Sequence, residues 1–220
     1  IAPPLITIYQ IMGVVVRWNS AYKGVRVLNT LYALELGATP LHIGLLLATY
    51  GVFPLLLAVL AGRIADRYGS RVPIIAGMVV STVGAVLPWF APSLPLLFIA
   101  AAITGLGFIL GQVAFQSLVG SLGEGMARTR NFNNYALIVA VADFVGPVLA
   151  GFSIDHGGHV PTYLFLGLLS TTSIIAILAL ARRVPIHRKP APAPAGQRMT
   201  DLFRDADMRR VLIAGAVVMT

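Results

Sequence analysis

The sequence contains no cysteine, which excludes a disulfide framework and any thiolate metal site. Charge is scarce as well. Only 11% of the 220 residues are Asp, Glu, Lys or Arg, against about 25% in a typical soluble domain. A chain so poor in charge and 57% apolar cannot cover a soluble surface, and its composition is that of a membrane protein. Acids are scarcest of all, eight against sixteen Lys and Arg, for a formal charge of +8. That excess would suit nucleic acid, but the basic residues fall between apolar runs rather than along one face, which excludes nucleic acid as a partner. There is no P-loop ending in Lys-Ser or Lys-Thr, so no ATP site is expected. The apolar runs hold no paired carboxylates and no nucleophile beside a base, so no embedded enzyme is expected. His42, His156, His159 and His187 lie at the ends of runs or between them. His156 and His159 have ligand-like spacing without a third ligand, so neither a metal nor a cofactor is expected.

What the chain has in abundance is long apolar runs. A membrane-spanning helix needs about 20 such residues. Leu41–Ala61, Val72–Phe90, Leu94–Leu118, Tyr135–Ile154 and Tyr163–Ala181 qualify, and Val211–Thr220 begins another that is cut short. Ahead of them, Leu5–Val16 and Val27–Leu36 are apolar and RWNSAYKGVR intervenes. These read as one long helix ending near Gly37, its polar side facing protein or water. The alternative makes the first dozen residues a separate interfacial segment. Thirteen of the sixteen basic residues lie in alternate connections: Arg63, Arg67 and Arg71 in one, Arg128 and Arg130 in another, and the rest from Arg182 to Arg210. The connections at Gly37–Pro40, Ala91–Ser93 and Asp155–Val160 hold none. By the positive-inside rule the basic connections and the amino terminus are cytoplasmic. The expected organisation is therefore a six-helix transmembrane bundle over residues 1–182, a cytoplasmic linker over 183–210, and the start of a seventh span over 211–220. The linker carries PAPAPAG, a semi-rigid spacer, then an amphipathic stretch that Thr200 could cap as a short interfacial helix.

Between the second and third helices the chain reads GRIADRYGSR, Gly62–Arg71. Gly69 supplies the positive φ of a tight turn and Gly62 a close backbone approach, while Asp66 and Arg67 place both signs of charge at helix ends. Here the chain resembles the major facilitator superfamily of secondary transporters, whose signature is a glycine, three residues, Asp-Arg, one residue, a glycine and two basic residues. Gly62, Asp66, Arg67, Gly69 and Arg71 match, and Ser70 replaces the first basic residue. Further on, Gly146-Pro147-Val148-Leu149-Ala150-Gly151 resembles the family's fifth-helix GPxxGG motif, with Ala150 for a glycine and Ala142 where a preceding glycine is usual. In the family this motif goes with exporters. Small residues and a proline also serve close packing and a kink. The arginine usual in the family's fourth helix is absent, its place taken by Ala101.

The segment Gly62–Pro73 has an echo in GFSIDHGGHVP, Gly151–Pro161: glycine, three residues, aspartate, then glycine and Val-Pro, one residue shorter. Each follows an apolar span and precedes another, on opposite sides of the membrane. That is the pattern of a three-plus-three inverted repeat.

Charges within a span cost about 2.5–3.5 kcal/mol or more, which makes them functional candidates. Arg26 lies about 16 Å from the Gly37 end at the helical rise, near mid-membrane. Asn19, Tyr22, Arg26 and Asn29 are spaced to share one helical face, facing a cavity or another helix. Arg17 is close enough to the cytoplasmic end to snorkel, and Lys23 beside the stripe has no assigned role. Asp143 is the only acid deep in a span, about 20 Å in from Arg130. Isolated, it would be a proton carrier, and beside Arg26 it would stay ionised. Gln112 and Gln116, one turn apart, either bind substrate or bond across helices.

The resemblance implies an all-α polytopic fold, half of a twelve-helix transporter. It also implies alternating-access transport of a small molecule driven by a proton gradient, in a cytoplasmic (inner) membrane, with the carboxy-terminal half of the same transporter completing the cavity. By resemblance, Gly62, Asp66, Arg67, Gly69 and Arg71 gate the cytoplasmic side, and Gly146, Pro147 and Gly151 pack helices. Arg26 points to an organic anion as substrate. A membrane sensor that binds without transport is the reading from another class.

Overall fold

The computed structural model describes the backbone of residues 5–122 and 125–180, and the side chains of all of these but 5–8, 53, 54, 58, 59 and 65–68. The linker and the seventh span expected over 183–220 lie outside the described residues. Six helices occupy the described chain in order: α1 Leu5–Glu35, α2 Pro40–Tyr68, α3 Arg71–Phe90, α4 Leu94–Ser121, α5 Gly125–Gly157 and α6 His159–Leu180. Five of them, α2 to α6, are long and apolar enough to cross a membrane. The exception, α1, is a single 31-residue helix, so the described part of the first dozen residues belongs to it.

α1 tolerates its polar residues because it packs against all five other helices, most extensively against α5 and α6. α4 plays the matching part against α2 and α3. Exchanging the first three helices for the last three therefore reproduces the pairing. The two echoing segments behave alike as well. Gly69 (φ 75°) and Gly158 (φ 80°) are left-handed, and Pro73 and Pro161 are each the third residue of the following helix. The residue missing from the second segment is the one between the left-handed glycine and the helix start.

Short turns join the helices through local chemistry. α1 ends in a Schellman motif: Gly37 takes φ 79°, the Ala38 amide donates to the Ala33 carbonyl at 2.9 Å, and the Gly37 amide donates to Leu34 at 3.0 Å. α2 then opens with a capping box, in which Thr39 Oγ1 accepts from the His42 amide and His42 Nδ1 accepts from the Thr39 amide. Two readings change. α5 starts ten residues before the span read from Tyr135, so Arg128 and Arg130 lie on its first turns rather than in a loop. At Gly62 a Cβ would meet nothing within 4 Å, so no close approach occurs there among the described residues.

Within a membrane, helices associate through packing and hydrogen bonds rather than a hydrophobic drive, and the close contacts lie at small residues. α3 meets α4 where Gly77 faces Gly107 and Gly111, and α1 crosses α5 where Gly24 faces Gly146. On α5 the buried residues Ala142, Gly146 and Ala150 recur every fourth position. Gly151 has open space. The packing stripe thus runs through both alanines of the glycine-poor motif, and of its two glycines only Gly146 belongs to it. Trp18 of α1 donates Nε1–H to Ser81 Oγ of α3 at 3.0 Å and packs on Phe108 and Phe115.

A buried relay ties three helices together. Tyr163 of α6 donates its hydroxyl to Asn29 Oδ1 at 2.6 Å, and Asn29 Nδ2 donates to the Tyr50 hydroxyl of α2 at 2.6 Å. Asn29→Ala removes both bonds and orphans two tyrosine hydroxyls, so unfolding should become easier by about 1–3 kcal/mol. Tyr163→Phe, which removes one, should cost about half as much. Denaturant titration in micelles measures both, and unchanged stability of Asn29→Ala would count against the relay.

Candidate functional site

Asp143 on α5 is the point where the polar groups converge. Its carboxylate is ion-paired with Lys23 Nζ of α1. Neither alternative left open by the sequence holds: Asp143 is not isolated, and its partner is not Arg26, which has no acid partner among the described residues. The cause lies in the helix crossing. A Cβ on Gly146 would stand 2.8 Å from Lys23 Cβ and 3.0 Å from the Gly24 amide nitrogen, so Lys23 lies directly on the α1–α5 seam. Asp143 sits one turn before Gly146.

Two recesses open beside this pair. One, of about 340 Å³, lies between α1, α2 and α5 and is lined by Lys23, Arg26, Thr30, Leu47, Asp143 and Pro147 among others. The Arg26 guanidinium reaches its wall with its carbon 5.9 Å from the centre of the Tyr50 ring, within cation–π range. The other, of about 620 Å³, lies between α4 and α5. Gln112, Gln116, Asn133, Tyr135 and Asp143 supply its polar groups, and Phe132, Ala136, Val139 and Ala140 its apolar wall. Asp143 borders both.

The structure thus gathers Arg26, Gln112, Gln116 and Asp143 around one ion pair, and it separates the rest of the α1 stripe from them. Asn19 is fully buried and donates to the Val15 carbonyl at 3.0 Å. Asn29 belongs to the tyrosine relay. Tyr22 is buried, its ring stacked on Phe108 at 3.6 Å between centres. None of the three lines either recess. Pro147 lines the smaller one, whereas Gly146 lies in the helix crossing and Gly151 in neither. At the α2–α3 turn Gly69 is buried and left-handed, Arg71 begins α3, and Gly62 is partly exposed. The side chains of Asp66 and Arg67, in the last turn of α2, lie outside the described residues.

Sequence reasoning left Lys23 without a role and passed over Tyr135 and Asn133. Tyr135 opens an apolar run, where the aromatic belt already accounts for a tyrosine. A second cluster was also missed. At the opposite end of the bundle from the α2–α3 turn, His159 Nδ1 of α6 lies 2.5 Å from Glu35 Oε2 of α1, and its ring stacks on Tyr32. Among the described residues no group of three or more His, Asp and Glu could hold a metal ion.

The profile of the Major Facilitator Superfamily matches residues 12–220. The tetracycline resistance protein, class H, of Pasteurella multocida is 29% identical over 139 residues, 63% of this chain and 34% of that protein. The quinolone resistance protein NorA of Staphylococcus aureus is 22% identical over 149 residues, 68% of this chain and 38% of its own length. The chain therefore spans little more than a third of these relatives. Among solved structures, a peptide transporter POT in complex with sulfate superposes with a TM-score of 0.76 at 16% identity, over 97% of this chain and 45% of the transporter. A POT family transporter in complex with a thioalcohol-conjugated peptide gives the same TM-score over 96% of this chain. At such identity the match establishes the fold.

Proposed function

Because the chain belongs to the Major Facilitator Superfamily, we propose that it forms the amino-terminal half of a secondary transporter that moves a small organic anion across a cytoplasmic membrane by alternating access. The carboxy-terminal half of the same protein would complete the cavity and cover the exposed apolar residues of α2 and α5, among them Leu55, Leu56, Phe144 and Phe152. The basic connections put the amino terminus and the α2–α3 turn in the cytoplasm. There Asp66, Arg67 and Arg71 gate that side against the second half, with Gly62 and Gly69 shaping the turn. Relatives named for resistance to tetracycline and quinolones favour export as the direction.

One observation carries the anion reading. Arg26 borders a recess whose only acid among the described residues, Asp143, is already held by Lys23. An unpaired guanidinium at mid-membrane depth is costly, and its planar fork suits a carboxylate or phosphate. Gln112 and Gln116 line the neighbouring recess as further substrate contacts. Asp143, half exposed at 49%, is the coupling group. When it takes a proton it releases Lys23, and when it ionises it recaptures it.

Transport by the complete protein in vesicles tests this. Arg26→Gln should raise the apparent constant for organic anions roughly 10- to 100-fold, the equivalent of a charge-assisted hydrogen bond, and Arg26→Lys should not restore it. Undiminished anion transport by a well-assembled Arg26→Gln protein would rule the role out. Counterflow of labelled substrate separates a transporter from a sensor, which would bind without exchange.

A further inference from the structure

Two residues in the wall of the α4–α5 recess each carry a buried polar atom that has no partner among the described residues. Tyr135 is 5% exposed, yet among the described residues its hydroxyl makes no hydrogen bond, and neither does the buried side-chain carbonyl oxygen of Gln112. A buried polar group without a partner costs stability, and native interiors leave few of them. Here both belong to residues that wall one recess together with Asp143 and Gln116. Its volume, about 620 Å³, falls within the range of small-molecule sites. Phe132, Ala136 and Val139 give it a flat apolar flank.

We propose that this recess receives a neutral hydrogen-bond donor, a hydroxyl or amide N–H, carried on the apolar or aromatic body of the substrate whose anionic end meets Arg26. The chemistry follows from the atoms left without a partner. The Gln112 carbonyl oxygen only accepts, so the ligand must donate. The Tyr135 hydroxyl does either and so completes the contact. The donor is neutral because the carboxylate that would hold an ammonium is already neutralised by Lys23. Tyr135 and Asp143 lie eight residues apart on α5, about 12 Å at the helical rise. The substrate is therefore elongated, its acid at the smaller recess and its donor at the larger. This extension rests on the anion reading for the acid end alone.

Four rigid probes separate the two ends: 4-hydroxybiphenyl, 4-methoxybiphenyl and the 4′-carboxylate of each. Their affinities are measured on the complete purified protein. Each hydroxyl probe should bind about three- to tenfold more tightly than its methoxy partner, the worth of one net hydrogen bond. That advantage should vanish in Tyr135→Phe and in Gln112→Leu. Both variants should unfold no more easily than the parent, since each removes an atom that has no partner. Equal affinities within both pairs, or no binding by any probe, overturns the proposal. So does a lower unfolding temperature of Tyr135→Phe, which would mean that a protein group already holds the hydroxyl. If an aminomethyl group in place of the hydroxyl binds more tightly still, the donor is cationic and the neutral assignment is wrong. Failure of the Arg26 role gives a different pattern: the carboxylates gain nothing over the neutral probes, while the hydroxyl preference persists.

Discussion

Gly146→Leu is expected to leave no folded bundle, whereas Gly151→Leu, five residues on, is expected to be tolerated by the six-helix bundle. A Cβ on Gly146 would stand 2.5 Å from the Ser20 carbonyl oxygen and 2.8 Å from Lys23 Cβ. The first obstacle is backbone and the second is fixed to it, so α1 and α5 would have to separate. Separation removes the contact on which α1 most depends and pulls Lys23 from Asp143. Overpacking a well-filled interior costs about 1–3 kcal/mol and occasionally more, and here the loss of an intramembrane ion pair adds to it. At Gly151 a side chain would enter open space. Yield of monodisperse protein after extraction in mild detergent reads the contrast. Equal yields of the two leucine variants would contradict the crossing.

The second large effect is expected at the ion pair. Asp143→Asn leaves the Lys23 ammonium without its partner inside a span, a penalty of about 2.5–3.5 kcal/mol or more for a fully lipid-buried charge, reduced here because Lys23 retains 24% side-chain exposure. Lys23→Gln should be mildly destabilising for the converse reason. Joined in one protein, the two changes should restore most of the stability, the signature of direct coupling in a double-mutant cycle. Transport divides differently. If Asp143 carries the proton, uptake driven by a proton gradient should fall to the undriven level in Asp143→Asn and in the double variant, while counterflow continues. Stability restored with driven transport still absent is the expected pair of results. Driven transport restored together with stability would reduce the pair to a structural role.

How far these residues could be read in advance depended on which physical property each expressed. The five apolar spans were legible because some twenty apolar residues leave few alternatives in a bilayer. The first turns of α5 were not, because hydropathy reports depth in the membrane rather than helicity, and Arg128–Asn134 is polar and helical at once. The left-handed Gly69 followed from turn chemistry. The close approach expected of Gly62 belongs instead to Gly24, Gly77 and Gly146, which only the packing of distant helices selects. Asp143 was conspicuous as a lone acid in a span, yet its partner was not. Lys23 and Arg26 are three residues apart on one helix, and the α1–α5 crossing decides which of them faces α5. Gln112 and Gln116 were found from polarity alone. Tyr135 was hidden by its place at the edge of a run.

The central position of α1 also has a consequence for biogenesis. This helix is made before every helix that shields it, and it carries Arg17, Lys23 and Arg26 into the membrane. Asp143 follows Lys23 by 120 residues, an interval of about 6–24 s at ordinary rates of synthesis. Until then Lys23 lacks the counter-charge it has in the bundle, and the α5 surface that receives Gly24 does not exist. α1 is therefore expected to wait in a setting that hydrates or shelters its cations, and to complete its insertion late, when α5 and α6 close around it.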